Sequence, residues 1–402
     1  MPLRAIVFDV SDTLVGPNGL VDGVPELWDF CAQCGIKRFV AATHRSDIGQ
    51  LHAHGIWEDG GFAGRDPGVS INKGSTEFIT RPAREANVPL SDIIYVGDND
   101  KTDARTAANA KVPYFRALWA RPHGQTGQYG IPMASVRALI DYISLYLLKE
   151  HSWYWSALGH DAHGRPFNYR AVADCLSINA PAAQAHFATI ATNVLKDKDN
   201  RSPYRRYLPF FQHQLLASLY LANWAQESDL WAVVPGHTTS SQIHPVLSPF
   251  VKEASILSRG RPVELLVRHV TVPSSREEKN QKLIPRFDKH VRSIYLNPDY
   301  KRILPGKRVL LADDFTTDGK TSEWCRNLLL AGGARDVLCV AVGKFPTSQL
   351  GIWTPRSGVS FDPFAPISLS DTDFDRIWVS QNKDTNAQSE LLAAFDKFEN
   401  AL

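Results

Sequence analysis

Apolar and polar positions along the first 120 residues alternate between short apolar runs and amphipathic stretches. The runs at residues 3–10 (LRAIVFDV), 38–43 (RFVAAT) and 92–98 (DIIYVGD) have the length and composition of buried strands. The stretch at 24–35 (VPELWDFCAQCG) and another that ends in REANV follow the helical period. This alternation predicts a parallel sheet with crossover helices, whose functional side chains lie at the carboxyl ends of the strands.

A change of composition follows this region. Residues 121–132 (RPHGQTGQYGIP) are rich in Gly, Pro and Gln and precede an amphipathic stretch at 134–149, which predicts a linker and connecting helix over 121–150. The next stretch, 153–170 (WYWSALGHDAHGRPFNYR), has many aromatic residues and few strand signals, and residues 210–226 follow the helical period.

Strand signals return in the second half of the chain, at 230–235 (LWAVVP), 263–267 (VELLV), 308–314 (RVLLADD) and 337–343 (VLCVAVG). A helical stretch separates the last two, and a capped amphipathic helix is predicted at the C-terminal end. These signals predict a second parallel sheet. The predicted fold class is therefore α/β, with two Rossmann-like parallel-sheet domains at 1–120 and 151–402.

The composition of this 402-residue chain is that of an ordinary globular protein, with 44% hydrophobic and 21% charged residues. The formal net charge of +2 is too small to attract nucleic acid or a membrane surface as a bulk partner, so any phosphate recognition must be local. The chain enters a strand without a charged leader and contains no apolar run long enough for a transmembrane helix. These features predict a soluble, cytoplasmic protein.

The cysteines agree with that compartment, because five of them form no even disulfide framework. The CAQC pair, Cys31 and Cys34, lacks the second pair or the nearby histidines that a zinc site requires. Redox or metal chemistry stays open for this pair, but two structural thiols on a helix are the simpler interpretation.

The first candidate site begins at residues 7–14 (VFDVSDTL), where Asp9 stands at the carboxyl end of a predicted buried strand. Three further pieces follow in order: Thr43 closes the strand RFVAAT, Lys73 lies in INKGS, and VGDNDKTD supplies Asp98 and Asp103. Together the four pieces resemble the motifs of the haloacid dehalogenase (HAD) superfamily. The simpler alternative is that Asp9 only caps a helix after the strand and that the later acids have no common function with it.

The resemblance implies a role for each residue. Asp9 would be the nucleophile that attacks phosphorus, and Mg²⁺ bridging Asp9 and Asp98 would offset the negative charge together with Lys73. Thr43 would donate a hydrogen bond to a phosphoryl oxygen, and Asp103 would position the water shell of the metal.

One position departs from the family pattern. The resemblance places Ser11 among both the catalytic and the metal-binding residues. It stands where the family has a second aspartate that protonates the leaving group. Serine cannot act as a general acid near neutral pH, so turnover should be slow or should use another group such as Asp12. The short spacing between the motifs also leaves no room for a large cap domain.

The second candidate site lies at residues 310–321 (LLADDFTTDGKT), where an apolar strand leads to two acids and a Thr/Gly loop before a helix. The stretch resembles the phosphoribosyl pyrophosphate (PRPP) motif of type I phosphoribosyltransferases. Asp313 and Asp314 would accept hydrogen bonds from the ribose hydroxyls. The 5'-phosphate would bind the backbone amides at the helix N-terminus, in a loop that comprises Thr316, Thr317, Asp318, Gly319, Lys320 and Thr321. A P-loop is excluded because Asp314 stands where that motif requires glycine.

Upstream segments follow the order of the same family, most closely its competence-associated, amidophosphoribosyltransferase-like branch. Pro235, Gly236 and His237, after the strand WAVV, would form the pyrophosphate loop. The segment 267–286 (VRHVTVPSSREEKNQKLIPR) resembles the mobile loop, from which Arg276, Lys279 and Lys282 would neutralise pyrophosphate. A simple turn and a solvated basic surface remain alternatives for these two segments.

Asp318 departs from this second pattern, because threonine or serine is common at its position. A carboxylate that faces a phosphate weakens binding unless it turns outward or Lys320 compensates for its charge.

The sequence thus predicts a two-domain enzyme that combines PRPP-dependent phosphoribosyl transfer with magnesium-dependent phosphoryl transfer or phosphatase chemistry. Its partners would be small phosphorylated molecules such as PRPP or a nucleotide, and a homodimer or a regulatory protein partner stays open. The alternative is a regulatory protein that binds such a ligand without turnover, which Ser11 and Asp318 favour. The acceptor base or amine is not encoded in any recognisable segment.

Overall fold

The computed structural model describes residues 3–99, 101–119, 130–196, 203–239, 247–248, 251, 261–273, 286–345 and 349–402. The chain divides into two compact units, one comprising 1–150 with 219–226 and 253–260, and the other comprising 151–218, 227–252 and 261–402. Residues 130–150, which the sequence assigns to a linker and connecting helix, therefore group with the first unit.

The first unit contains strands separated by helices, as its apolar pattern predicts. Its strands are β1 (Ala5–Asp9), β2 (Val15–Gly16), β3 (Gly19–Leu20), β4 (Lys37–Ala42), β5 (Gly60–Ala63), β6 (Ile93–Gly97), β7 (Tyr114–Ala117) and β8 (Ile131–Met133). Its helices are α1 (Val24–Gln33), α2 (Arg45–Ala53), α3 (Glu77–Glu85), α4 (Thr102–Ala110) and α5 (Val136–Tyr142), with a π-helical turn at Ile143–Leu147 and a 3₁₀ turn at Leu90–Asp92.

The main sheet of this unit has the strand order β5-β4-β1-β6-β7-β8, and every neighbouring pair is parallel. All residues of β1 and β6 are buried, as expected for central strands covered on both faces. The carboxyl ends of β4, β1 and β6 therefore lie side by side. Between β1 and α1 the chain forms only the hairpin of β2 and β3, so no cap domain is inserted there.

The CAQC pair lies at the end of α1. Cys31 is buried in the helix, and burial raises the pKa of its thiol to about 12. Cys34 follows the helix and is exposed. A buried, protonated thiol fits the structural interpretation of this pair.

The remaining elements belong to the second unit, apart from residues 219–226. The strands are β9 (Trp155–His160), β10 (Pro166–Asp174), β11 (Leu230–Val233), β12 (Arg261–Pro262), β13 (Leu266–Arg268), β14 (Ile294–Leu296), β15 (Arg308–Thr316), β16 (Asp336–Lys344), β17 (Gly351–Pro355), β18 (Phe374–Trp378) and β19 (Asn382–Lys383). The helices are α6 (Ala182–Leu195), α7 (Leu208–Leu221), α8 (Trp224–Glu227), α9 (Asp288–Val291), α10 (Lys320–Ala331) and α11 (Thr385–Glu399), with 3₁₀ turns at Pro203–Tyr207, Pro298–Tyr300 and Asp371–Asp373. No helix in the described ranges is both long and apolar enough to cross a membrane.

The main sheet of the second unit has the order β12-β11-β15-β16-β10-β9-β19. Strands β12, β11, β15, β16 and β10 are parallel, in agreement with the predicted second parallel sheet. Strand β9 pairs with both β10 and β19 in the antiparallel sense. Two predictions need correction. Residues 153–170 contain the β9–β10 hairpin instead of a strand-poor segment, and the strand predicted at 263–267 corresponds to β13, which pairs with β14 outside the main sheet.

A buried ionic cluster fastens α10 to the β9–β10 hairpin. The Arg326 guanidinium lies 3.0 Å from Asp161 Oδ2 and 2.8 Å from Glu323 Oε1, and Tyr169 Oη donates a 2.5 Å hydrogen bond to Glu323 Oε2. All four side chains are buried. Such a cluster stabilises the fold only while each charge keeps its partners.

Replacing Arg326 with Ala should therefore lower the free energy of unfolding by about 3–5 kcal/mol, because Glu323 would remain buried without its cation and Asp161 would keep only Arg165. Urea unfolding of the full chain, followed by tryptophan fluorescence, would measure the loss. Arg335→Ala is the matched control, since Arg335 is exposed. A change for Arg326→Ala no larger than that of the control would contradict a structural role for the cluster.

Candidate functional site

The first site forms where the carboxyl ends of three strands meet. Asp9 is the last residue of β1, Thr43 follows β4, and Asp98 follows β6, while Asp103 is the second residue of α4. The carboxylates of Asp9, Asp98 and Asp103 are buried, and they offer ligand oxygens that all lie within 4.8 Å of one another. Parallel pairing thus brings together acids that are far apart in the sequence.

Lys73 lies against these acids. Its Nζ atom is 2.5 Å from Asp9 Oδ1 and 3.2 Å from Asp103 Oδ1. The next residue, Gly74, is held at both backbone atoms: its N–H donates to Thr106 Oγ1 at 2.7 Å, and its carbonyl accepts from Asn109 Nδ2 at 2.5 Å. Helix α4 therefore fixes the loop that delivers the lysine.

Asp103 is positioned by its own hydrogen bonds. Tyr95 Oη donates to Oδ1 at 3.1 Å, and the Asn99 N–H donates to Oδ2 at 3.0 Å. The backbone of Gly97 passes so close that a Cβ atom there would lie 2.6 Å from Asp103 Oδ2. Only glycine allows this carboxylate to approach the end of β6.

The charges of the site are strongly coupled. Burial, and then the negative charge of Asp103, raise the pKa of Asp9 well above its ordinary value, while Lys73 opposes the shift. Burial lowers the pKa of Lys73, but Asp9 and Asp103 outweigh that effect and raise it. Three carboxylates with one lysine leave an excess of negative charge, and hard oxygen donors are the ligands that Mg²⁺ prefers. The donor set therefore fits Mg²⁺.

An open cleft of about 520 Å³ gives access to the acids. Its lining residues include Asp9, Ser11, Thr43, Lys73 and Asp98, together with His44, Asp47, Asn72, Asn99 and Thr102. Asp103 lies behind the cleft and is fully buried. The sequence analysis did not predict a role for His44, Asp47, Asn72, Asn99 or Thr102. His44 and Asn72 directly adjoin Thr43 and Lys73, which was a usable signal.

Ser11 is exposed and lines the cleft, as a residue at the position of a general acid should. Asp12 has a left-handed backbone with φ 62°, a conformation that glycine adopts more readily than other residues. The Asp12 N–H donates to the Val15 carbonyl at 2.8 Å, so the turn is closed by the short hairpin that follows.

The second candidate site lies at the carboxyl edge of the other sheet. Strands β11 and β15 are parallel neighbours, and the Val234 N–H donates to the Ala312 carbonyl at 2.9 Å. The turn at 235–237 and the loop at 317–319 therefore leave adjacent strands at the same edge. Asp313 and Asp314 lie inside β15 and not after it, because the strand continues to Thr316.

The two acids differ in their partners. Asp314 is paired with Lys196, whereas Asp313 Oδ2 accepts a hydrogen bond from Ser322 Oγ at 3.2 Å. Burial, followed by the charge of Asp314, raises the pKa of Asp313 well above its ordinary value, and Lys196 opposes the shift. The acid with a cationic partner within ion-pair distance is therefore Asp314.

A buried arginine supports the turn at 235–237. Arg268 donates from Nε to the Gly236 carbonyl and from Nη1 to Ser293 Oγ at 2.5 Å. Burial lowers the pKa of this guanidinium to about 10. The Val272 N–H donates to the His237 carbonyl at 2.9 Å, so residues of the β13–β14 ribbon and the segment after β13 hold both ends of the turn.

A histidine that the sequence did not indicate lies near the start of α10. His290 is buried, with both ring nitrogens 3.4 Å from Thr321 Oγ1. Burial, and then Lys289, Arg268 and Lys320, lower its pKa well below the ordinary value. The imidazole is therefore neutral near pH 7. The predicted mobile-loop residues Arg276, Lys279 and Lys282 lie outside the described residues.

Similar solved structures match about a third of the chain. No protein-family model and no curated protein matches it. Among similar solved structures, an uncharacterized protein from Listeria monocytogenes serotype 4b shares 15% identity over 36% of this chain and 98% of its own, with a TM-score of 0.30. A HAD-superfamily hydrolase of subfamily IA from Geobacter sulfurreducens shares 16% identity over 31% of this chain and 56% of its own, with a TM-score of 0.27.

A third similar structure is the cobalt-bound form of deoxy-D-mannose-octulosonate 8-phosphate phosphatase from Haemophilus influenzae. It shares 15% identity over 35% of this chain and 87% of its own, with a TM-score of 0.28. The similar region is the N-terminal part of the chain.

Proposed function

We propose that the first unit contains a magnesium-dependent phosphoryl-transfer site in which Asp9 forms an aspartyl-phosphate intermediate. The observation that carries this proposal is that Asp9, Lys73 at 2.5 Å from it, and Asp98 line one cleft, with the buried Asp103 close to these acids. A carboxylate that lines such a cleft needs neighbouring cations before it can attack an anionic phosphorus.

In the proposed reaction, a carboxylate oxygen of Asp9 forms a bond to phosphorus, and the leaving oxygen departs with the electrons of the broken P–O bond. Asp9, Asp98 and Asp103 would hold the Mg²⁺, which supplies positive charge next to the phosphoryl group. Lys73 supplies a second positive charge, and the Thr43 hydroxyl donates a hydrogen bond to a phosphoryl oxygen. Ser11 donates no proton to the leaving group, so the reaction favours leaving groups that need none.

Covalent labelling tests this proposal. With Mg²⁺ and an aryl or acyl phosphate that carries ³²P, the full chain should incorporate phosphate on Asp9, and Asp9→Asn should abolish the label because an amide is not a competent nucleophile. Asp22→Asn is the matched control, since Asp22 is exposed and outside the cleft. Labelling that survives in Asp9→Asn, or no label and no turnover with any phosphoester, would reject the proposal.

We further propose that the second unit binds PRPP and transfers its phosphoribosyl group. The parallel pairing of β11 and β15 supports this, because it places the Pro235–His237 turn beside Asp313 and Asp314 at one sheet edge. The acids would hold the ribose hydroxyls and the two loops would hold the phosphates. The chain would then be a bifunctional nucleotide-related enzyme.

The alternative proposal is a regulatory protein that binds PRPP or a nucleotide without turnover. The pairing of Asp318 with Lys320 in the predicted phosphate loop favours it, because a bound anion must compete with that carboxylate. Pyrophosphate release in the presence of candidate bases would support the transferase, whereas tight binding without release would support the regulatory protein.

A further inference from the structure

The loop between β15 and α10 has a fixed backbone. Gly319 has φ 76°, and a Cβ atom on it would lie 2.2 Å from a methyl carbon of Leu350, so both its conformation and its packing require glycine. Lys344, at the end of β16, donates from Nζ to the Thr317 carbonyl. The loop is therefore held in place from two sides before any ligand enters.

A carboxylate of the chain itself occupies the start of α10. Asp318 Oδ2 lies 2.6 Å from Lys320 Nζ, and Asp318 Oδ1 lies 3.4 Å from the Lys320 backbone N–H. The first turn of a helix presents unpaired amides and the positive end of the helix dipole, so it favours an anion. In this loop, Asp318 supplies that anion.

A second observation points to a ligand at the same place. Thr316 is 5% exposed, and its Oγ1 atom has no hydrogen-bond partner among the described residues. This hydroxyl faces the loop, at 4.0 Å from the position that a Cβ atom on Gly319 would take. A buried hydroxyl without a partner is destabilising unless a ligand or water satisfies it.

We propose that Asp318 is an internal competitor of phosphate in this loop. A phosphorylated ligand binds by displacing the Asp318 carboxylate, and it then takes over Lys320 and the first amides of α10. The loop thereby discriminates against weak monoanions, because only a ligand with more negative charge or further contacts can replace the carboxylate. The identity of the natural ligand rests on the proposed phosphoribosyl function, but the competition does not.

The test uses inorganic phosphate as the probe, titrated calorimetrically into the full chain at fixed ionic strength. Asp318→Asn should raise the affinity for phosphate at least about tenfold, since it removes a like charge next to the bound anion. Asp318→Thr, which lacks the carboxylate altogether, should do the same. Lys320→Met should weaken binding in the wild-type and the Asp318→Asn backgrounds alike. Asp299→Asn is the matched control, because Asp299 is an exposed acid of the same unit.

Four outcomes are decisive. Equal or weaker phosphate binding by both Asp318 variants, or no phosphate binding by any form, would overturn the inference. Tighter phosphate binding by the variants without any binding of PRPP would support the inference and reject the phosphoribosyl function. Equal affinities of both phosphate and PRPP for the wild type and the two Asp318 variants would overturn the inference while the phosphoribosyl site stands. Tighter binding of both phosphate and PRPP would support both.

Discussion

Replacing Ser11 with Asp should raise the steady-state rate of phosphoester hydrolysis about a hundredfold or more, which is the usual size of general acid–base catalysis. Ser11 is exposed in the cleft that contains Asp9, so an aspartate there would reach the leaving oxygen and, later, the attacking water. In the wild type the aspartyl-phosphate should instead persist, because the residue that would activate its hydrolysis is missing.

Rapid-quench labelling and steady-state turnover measure these two quantities separately. The wild type should show a burst of label that approaches one per chain followed by slow turnover, whereas Ser11→Asp should show less label and faster turnover. Ser11→Ala is the matched control and should behave as the wild type does. Asp9→Asn should remove the label in either background.

A wild type that already turns over rapidly, with Ser11→Asp no faster, would mean that another group acts as the acid. The candidates are Asp12, the next residue in the chain, and His44, which lines the cleft. That result would leave the nucleophile in place and remove the explanation for slow turnover.

Much of the first sheet and its acidic cluster was predictable because the information is local. Asp9, Thr43 and Asp98 each end a short apolar run, and parallel strands bring such ends together without further specification. The role of Gly97 was not predictable, because it depends on how closely the Asp103 side chain approaches the backbone across α4 and β6. A contact of that kind exists only in three dimensions.

The second unit shows a different limit. The segment 153–170 gave few strand signals because its strands contain a Gly, an Asn and several charged or small residues. In the structure, Trp155 and Ala157 are buried, Leu158 is exposed, and Gly159 leaves room for the Phe167 ring. Pairing with β16 and burial of α10 against the hairpin override the weak local propensity.

The connector prediction depended on composition alone. Gly and Pro near residues 121–132 indicate a break in regular structure, but they do not indicate which unit the flanking elements join. Ile131–Met133 pairs with β7, and α5 packs on α1, so both elements extend the first unit. The contacts with β7 and α1 decide which unit these elements join, and the local sequence does not indicate those contacts.

The acids of β15 provide the other large expected effect. Replacing Asp313 and Asp314 together with Asn should weaken PRPP binding at least about a hundredfold, because each charge-assisted hydrogen bond from a ribose hydroxyl contributes about 1.5–3 kcal/mol. Asn has the size of Asp and keeps one acceptor oxygen, so the loss of PRPP affinity would result from the missing charge and not from a change of shape. Calorimetric titration of PRPP into the full chain measures it, and Asp362→Asn, at an exposed acid, is the matched control.

The single variants sharpen this prediction. Asp314 is paired with Lys196, while burial and the charge of Asp314 raise the pKa of Asp313 well above its ordinary value. Burial and the neighbouring charge thus oppose the ionisation of Asp313, so its charge-assisted hydrogen bond should be the weaker of the two. Asp314→Asn should consequently cost more affinity than Asp313→Asn, and it should also lower the pKa of Asp313 in part, since burial, the larger cause, remains. Equal affinities for the wild type and the double variant would remove the ribose-binding role of both acids and leave Asp313 and Asp314 as structural residues of β15.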